Sequence, residues 1–229
     1  MNVYLVCETD TRTGDGGVSH GDEPLTYFGT GDVAGGTMSA PRVLVVGETT
    51  FPFHDIEDKR AQFEAALDGF DATVTTDRSA VADLGPGDVL VDYVTDSSAG
   101  DYPKLVADHI ADGGGYVGVH CAADLTSTAA ADPDDLIDSR DEPIPALRER
   151  LGGHFVNHPE QAEYGVDVIA RHPITDGVSD FRVFDEPYQV AVDDDIEVLA
   201  RMDHADLDDY PIVWTAPSDA GRGAYVSLG

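Results

Sequence analysis

From Arg42 onward, short apolar runs alternate with stretches whose apolar residues recur at helical spacing. "RVLVVG" (42–47) is a continuous apolar run closed by glycine, and "DKRAQFEAALDGF" (58–70) follows with Phe63, Ala66 and Leu67 on one side. The first pattern reads as a buried strand and the second as an amphipathic helix. "DATVTT" (71–76) and "GDVLVDYV" (87–94) are the next predicted strands. "DYPKLVADHIADGG" (101–114) is a helix stopped by glycines, and "GYVGVH" (115–120) is a fourth strand. This alternation predicts a parallel sheet with helices on both faces. The second half is richer in strands: "EYGVDVIA" (163–170), "YQVAV" (188–192), "IEVLARM" (196–202), "PIVWTA" (211–216) and "GAYVSL" (223–228). No internal repeat is seen.

Residues 8–40 are rich in Gly, Thr, Asp and Ser and show no apolar periodicity. Met38 then opens "MSAPRVLVVGE", which has the form of a protein start running directly into a strand. We therefore expect residues 1–40 to be a disordered extension, with residues 1–37 arising from an over-extended start codon or serving as a flexible tail. A single domain is expected over residues 41–229, a length that buries a sizeable core.

Charge narrows the partners. Thirteen Lys and Arg against 45 Asp and Glu give a net charge of −32, and Lys59 and Lys104 are the only lysines. Nucleic acids and anionic membranes select cationic surfaces, so neither is an expected partner. The acids are scattered, as in "VDDDIEVL" (192–199) and "DHADLDDY" (203–210), which suits the solvated acidic coat of a halophile protein. The two cysteines, Cys7 and Cys121, define no disulfide framework. Neither a bilayer-length apolar run nor a secretion signal is readable, so the expected compartment is the cytoplasm. A small-molecule ligand is the expected partner, and a homo-oligomer is compatible with the sequence.

Ligands of parallel α/β sheets bind beyond the carboxyl ends of the strands. Two loops leave such ends with reactive content, "GETTFPFHD" (47–55) and "HCAAD" (120–124), so His54, Asp55, His120, Cys121 and Asp124 are expected along one rim. A thiol at a strand-to-helix turn resembles a nucleophile elbow, but two residues past Gly118 stands His120, not Cys121. A shift of one residue turns a side chain to the other side, so Cys121 is read as packing and His120 as the residue at the elbow. A pocket-lining His120 is expected to contribute little to stability.

His154 and His158 stand four residues apart in "LGGHFVNHPEQ" (151–161), a spacing that binds zinc on a helix. Pro159 pushes His158 out of helical geometry, and no glutamate takes the metalloprotease position. General acid/base or hydrogen-bonding work on a polar ligand is therefore favoured over an unassigned divalent metal. "FRVFDEPYQV" (181–190) places Asp185, Glu186 and Tyr188 around Pro187 beside Phe181 and Phe184. Carboxylates beside aromatic faces suit sugars. Trp214 and the Gly-Arg-Gly turn at 221–223 are further wall candidates, with core packing and a hairpin as their structural alternatives.

In chain order, "FHD" (53–55), "GGGYVGVH" (113–120), "LGGHFVNHP" (151–159), "RHPITDG" (171–177), "FDEPY" (184–188), "PIVW" (211–214) and "GRGAYVSLG" (221–229) resemble the ThuA-like family, named for trehalose utilisation. The resemblance covers Arg42 to Gly229. It implies a class I glutamine amidotransferase-like, flavodoxin-like fold: a three-layer αβα sandwich with a mainly parallel sheet, lacking those enzymes' catalytic cysteine. It also implies a role in the metabolism of trehalose or a related disaccharide. The family's shared polar positions fall on His54, His120, His154, His158, Asp185, Glu186 and Tyr188. Cys121 stands where members commonly have another small residue, and the sequence stops at Gly229 where members usually continue with a histidine.

Three functions follow as expectations. The first is an enzyme acting on a sugar or oxidised sugar. In it His120, His54 and Glu186 are catalytic, while Asp185, Tyr188, His154, His158 and Trp214 bind substrate. The second is a non-catalytic sugar-binding or regulatory protein using the same pocket. The third is an amidotransferase-like hydrolase using Cys121, which needs a base poised on the thiol.

Overall fold

The computed structural model describes residues 41–216 and 222–229. The expected N-terminal extension, with Cys7 and Met38, lies outside the described residues, as does Gly221 of the Gly-Arg-Gly turn.

The strands β1 (Arg42–Gly47), β2 (Asp71–Thr75), β3 (Val89–Tyr93) and β4 (Gly115–Val119) are the four apolar runs of the first half. With β13 (Arg222–Val226) they form a parallel block in the order β2-β1-β3-β4-β13. Alternate side chains of each strand leave on opposite faces. Val43 and Val45 pack with Ile56 of α1 (Ile56–Ala66), whereas Leu44 and Val46 pack with Val106 and Ile110 of α2 (Tyr102–Ala111). Both faces are covered at β1 and β3, which read as unbroken apolar runs, whereas the edge strand β2 is partly exposed.

The sheet does not stay parallel. It continues through β12 (Pro211–Thr215), β11 (Glu197–Asp203), β8 (Ala162–Val168) and β9 (Phe181–Asp185), all joined antiparallel. The protein is thus an α/β fold on a nine-stranded mixed sheet, with few helices, rather than one with a mainly parallel sheet. Strand-rich sequence without intervening helices leaves only hairpin-like returns, and these make antiparallel neighbours.

The remaining elements are short. β5 (Ser127–Ala129) pairs with β6 (Ile137–Ser139), and α3 (Pro145–Leu151) leads into β7 (Gly153–Asn157), which pairs with β10 (Gln189–Val192). The β7–β10 ribbon brings the segment after β9 back over the carboxyl ends of the parallel strands. No helix among the described residues is long and apolar enough to cross a membrane.

Candidate functional site

The chain runs from β1 outward to β2 and then back to β3 on the other side of β1, which makes the β1/β3 boundary a topological switch point. The loops after β1, β3, β4 and β13 meet there. The buried Glu48 carboxylate organises the edge: it accepts from the backbone N–H groups of Thr95 (2.6 Å) and Asp96 (2.9 Å) and pairs with Arg78 at 2.9 Å. Three strong donors satisfy a carboxylate that would otherwise be costly to bury. Asp55 accepts from the Glu57 N–H at 2.8 Å, capping α1 and fixing the loop that carries His54.

His120 follows β4 and is the one described non-glycine residue with positive φ, at 49°. This left-handed conformation, rare outside glycine, turns its ring back over the sheet edge. Its Nδ1–H donates to the Ser227 carbonyl at 2.8 Å, and the Tyr225 hydroxyl donates to its own carbonyl at 2.6 Å. Gly229 lies against the ring so closely that a Cβ there would stand 2.6 Å from it. The imidazole is clamped between β4 and β13, and its Nε2 remains for the site.

Two groups contact that nitrogen, and two further histidines complete the cluster. The Tyr188 hydroxyl donates to it at 3.1 Å and the Tyr188 ring stacks on it, with centroids 4.4 Å apart. Glu186 Oε2 is 3.4 Å from it and 3.8 Å from His158 Nε2. His54 meets His120 edge-to-face with centroids 5.0 Å apart, its own Nδ1 sharing a 2.8 Å hydrogen bond with the Thr95 hydroxyl. His158 donates Nδ1–H to the Pro159 carbonyl at 2.8 Å. His54 and His120 are buried, Glu186 and His158 are partly open, and the ring of Phe53, half exposed, packs edge-on against His54 at 4.8 Å.

Burial first, and then the neighbouring His120, pushes the His54 imidazole down to about 3, so it is neutral at physiological pH. Glu186 is lowered too, which for a carboxyl favours the charged form. The His120 imidazole, aided by His158 and His54 and opposed by burial, holds its carboxyl down to about 2. An ionised carboxylate therefore faces three imidazoles. Tyr93, buried beside His54 with ring centroids 6.1 Å apart, has a hydroxyl without a hydrogen-bond partner in the protein. Burial first, and then the neighbouring Glu186 and Asp185 carboxylates, raise its pKa.

A family model for ThuA, described as trehalose utilisation, matches residues 42–229. The chain belongs to the ThuA family. No curated protein matches it. Among solved structures, it is similar to a ThuA-like protein from Bacteroides uniformis at 21% identity, with 86% of each chain covered and a TM-score of 0.62. It also resembles a cold-adapted β-galactosidase from Rahnella sp. R3 at 15% identity and a TM-score of 0.61, covering 83% of this chain and 29% of that one. A catalytic mutant of a GH42 β-galactosidase from G. stearothermophilus matches at 14% identity and a TM-score of 0.56, covering 85% of this chain and 28% of that one. At these identities the likeness is one of fold.

This ThuA domain brings together His54, His120, His158, Glu186 and Tyr188 from the residues singled out in the sequence. It places three others elsewhere. Trp214 is fully buried, donates Nε1–H to the Leu151 carbonyl at 2.8 Å and packs on Tyr225, so it is core and not a pocket wall. His154 lies on β7, one residue before Phe155, whose ring packs against Tyr188, and so points away; its Nδ1 accepts from Arg148, which also holds Asp193. Asp185 adjoins the site, but its oxygens accept from the backbone of Glu186 (2.8 Å) and Gly229 (3.0 Å), fixing the turn.

Cys121 is fully buried among Val43, Val45, Ile56 and Val91, and burial raises its thiol well above the usual value. That surrounding disfavours the thiolate a nucleophile needs. Thr95, Ser227 and Tyr93 were not singled out from the sequence. Thr95 alone carried a readable signal, since "DYVTD" (92–96) leaves the carboxyl end of an apolar strand.

Proposed function

We propose that this ThuA-family protein is an enzyme of carbohydrate metabolism acting on trehalose or a related disaccharide, including oxidised forms, at the His54–His120–Glu186 cluster. The observation that carries this reading is the convergence of three imidazoles, one ionised carboxylate and the Tyr188 hydroxyl at the carboxyl edge of the parallel strands. Such a set holds several hydroxyl or carbonyl oxygens at once, while the exposed Phe53 ring offers an apolar surface to the C–H face of a sugar. His120 with Tyr188 handles the proton, Glu186 and His54 orient the reacting oxygens, and His158 stands at the entrance. The family's description supports the sugar class. The packing of α1 and α2 on opposite faces supports a three-layer, class I glutamine amidotransferase-like arrangement for the parallel block.

A second reading, a non-catalytic sugar binder, is favoured by the small exposure of His54 and His120, 8% and 4%. A ligand meets Glu186 and His158 before either of them. Incubating the purified protein with a panel of disaccharides and their keto forms separates the two. Turnover that is lost in Glu186→Gln supports the enzyme, binding without turnover supports the binder, and neither outcome with any sugar overturns the sugar reading.

A further inference from the structure

The cluster that would hold the sugar also has the donor set of a metal centre. One nitrogen each from His54 and His120 and one Glu186 oxygen all lie within 4.8 Å of one another. Both Nδ1 atoms are already taken, by Thr95 and by the Ser227 carbonyl, so the nitrogens that converge are the Nε2 atoms. Metal-binding histidines commonly have the second ring nitrogen held in this way, which fixes the ring direction before an ion arrives. His158 repeats the pattern, with Nδ1–H on the Pro159 carbonyl and Nε2 turned toward Glu186.

The spacing fits as well. An ion ~2.1 Å from each of two tetrahedral ligands holds them about 3.4 Å apart. His120 Nε2 and Glu186 Oε2 stand at 3.4 Å, beyond the usual N–H···O range. The orphaned Tyr93 hydroxyl beside His54 gives a bound water somewhere to donate or accept. Charge agrees, since the cluster includes the Glu186 carboxylate and the chain carries −32.

We propose that His54, His120 and Glu186 hold one divalent first-row transition ion such as Zn²⁺, with His158 at its margin and at least one position open. Two nitrogens and a carboxylate oxygen suit such ions better than Ca²⁺ or Mg²⁺, which prefer all-oxygen shells. Occupation of His120 Nε2 displaces the Tyr188 hydroxyl from that nitrogen and redirects it toward the ion's open side. With such an ion bound, His120 would serve as a ligand, the ion would supply an activated water, and Tyr188 would be left as the proton donor. The inference concerns the same atoms as the sugar reading but does not depend on it.

The test is direct. The full chain is stripped with chelator, and uptake of Zn²⁺ and Co²⁺ is measured by calorimetry and by elemental analysis after dialysis in molar KCl, which suppresses loose binding to surface carboxylates. One ion per chain is expected. Affinity should fall at least about 100-fold in His54→Ala and in Glu186→Gln, more than the loss of an orienting neighbour causes. Tyr188→Phe should bind as tightly as the wild type or more so, because no hydroxyl then competes for His120. Glu186→Gln is nearly isosteric and partly exposed, so it reports even if His54→Ala fails to fold. No stoichiometric uptake by the wild type, or unchanged affinity in Glu186→Gln, overturns the proposal. Sugar turnover that survives full chelation would remove the ion while leaving the sugar reading intact.

Discussion

At the scale of single residues, His120 departs most from what its sequence suggested. A pocket-lining side chain would contribute little to stability, yet this one is buried, donates to Ser227, stacks on Tyr188 and takes a φ of 49°. His120→Ala removes the donor from a buried carbonyl, at a cost of about 1–3 kcal/mol. His120→Asn should be gentler, because asparagine tolerates the left-handed region and carries an amide donor. Chemical denaturation of both variants should rank Asn above Ala; equal loss would mean that backbone conformation contributes nothing here. Cys121 gives the opposite expectation. In the native protein iodoacetamide should leave it unlabelled, and Cys121→Ser should retain ligand binding, since its thiol packs among Val43, Val45 and Ile56. Rapid labelling accompanied by loss of binding would restore the thiol as a functional group.

At the scale of elements, β3 carries a buried acid through the core. Asp92 accepts from the Tyr116 hydroxyl at 3.0 Å, its second oxygen lacks a hydrogen-bond partner, and burial pushes its carboxyl from 3.8 up to about 7. The folded protein therefore keeps this proton to higher pH than the unfolded chain. The stability it contributes is full below about pH 4 and is lost as pH rises through about 7. Asp92→Asn does not titrate, so its denaturation midpoint should fall less between pH 5 and pH 8 than that of the wild type; parallel profiles would show that Asp92 stays ionised.

Asp55→Ala should cost about 1 kcal/mol through loss of the α1 cap and should loosen the loop that holds His54. The apolar runs made β1, β3 and β4 legible, because strands covered on both faces show continuous hydrophobicity, while α2 was marked by its helical spacing and β2 by its β-branched residues. β7 and β9 were not. "GHFVN" and "FRVFD" mix exposed and half-buried positions, so no unbroken apolar run marks them as strands. The site was legible where strand ends name their neighbours, as for His54 and His120. His154 lies within β7 whereas His158 lies beyond its end, so their four-residue spacing does not fix where each points, and the fate of Trp214 depends on α3 covering it.

At the scale of the whole molecule, a net charge of −32 with few compensating cations sets up self-repulsion that dilute buffer does not screen. Stability followed by denaturation should rise from low to molar KCl, and a flat profile would contradict the role assigned to the acidic coat. The mixed sheet gives the molecule one reactive edge, where β1, β3, β4 and β13 end together and the β7–β10 ribbon returns Glu186 and Tyr188 across them. The central claim is that this edge is where a disaccharide binds. The ring ¹H–¹⁵N spectrum of the histidines, recorded while disaccharides and their oxidised forms are titrated in, tests it most directly. The imidazole signals of His54, His120 and His158 should move with a bound sugar, while those of His109, His172 and His204 stay fixed. Silence of the first three rings toward every sugar, or shifts confined to the other three, would contradict the account.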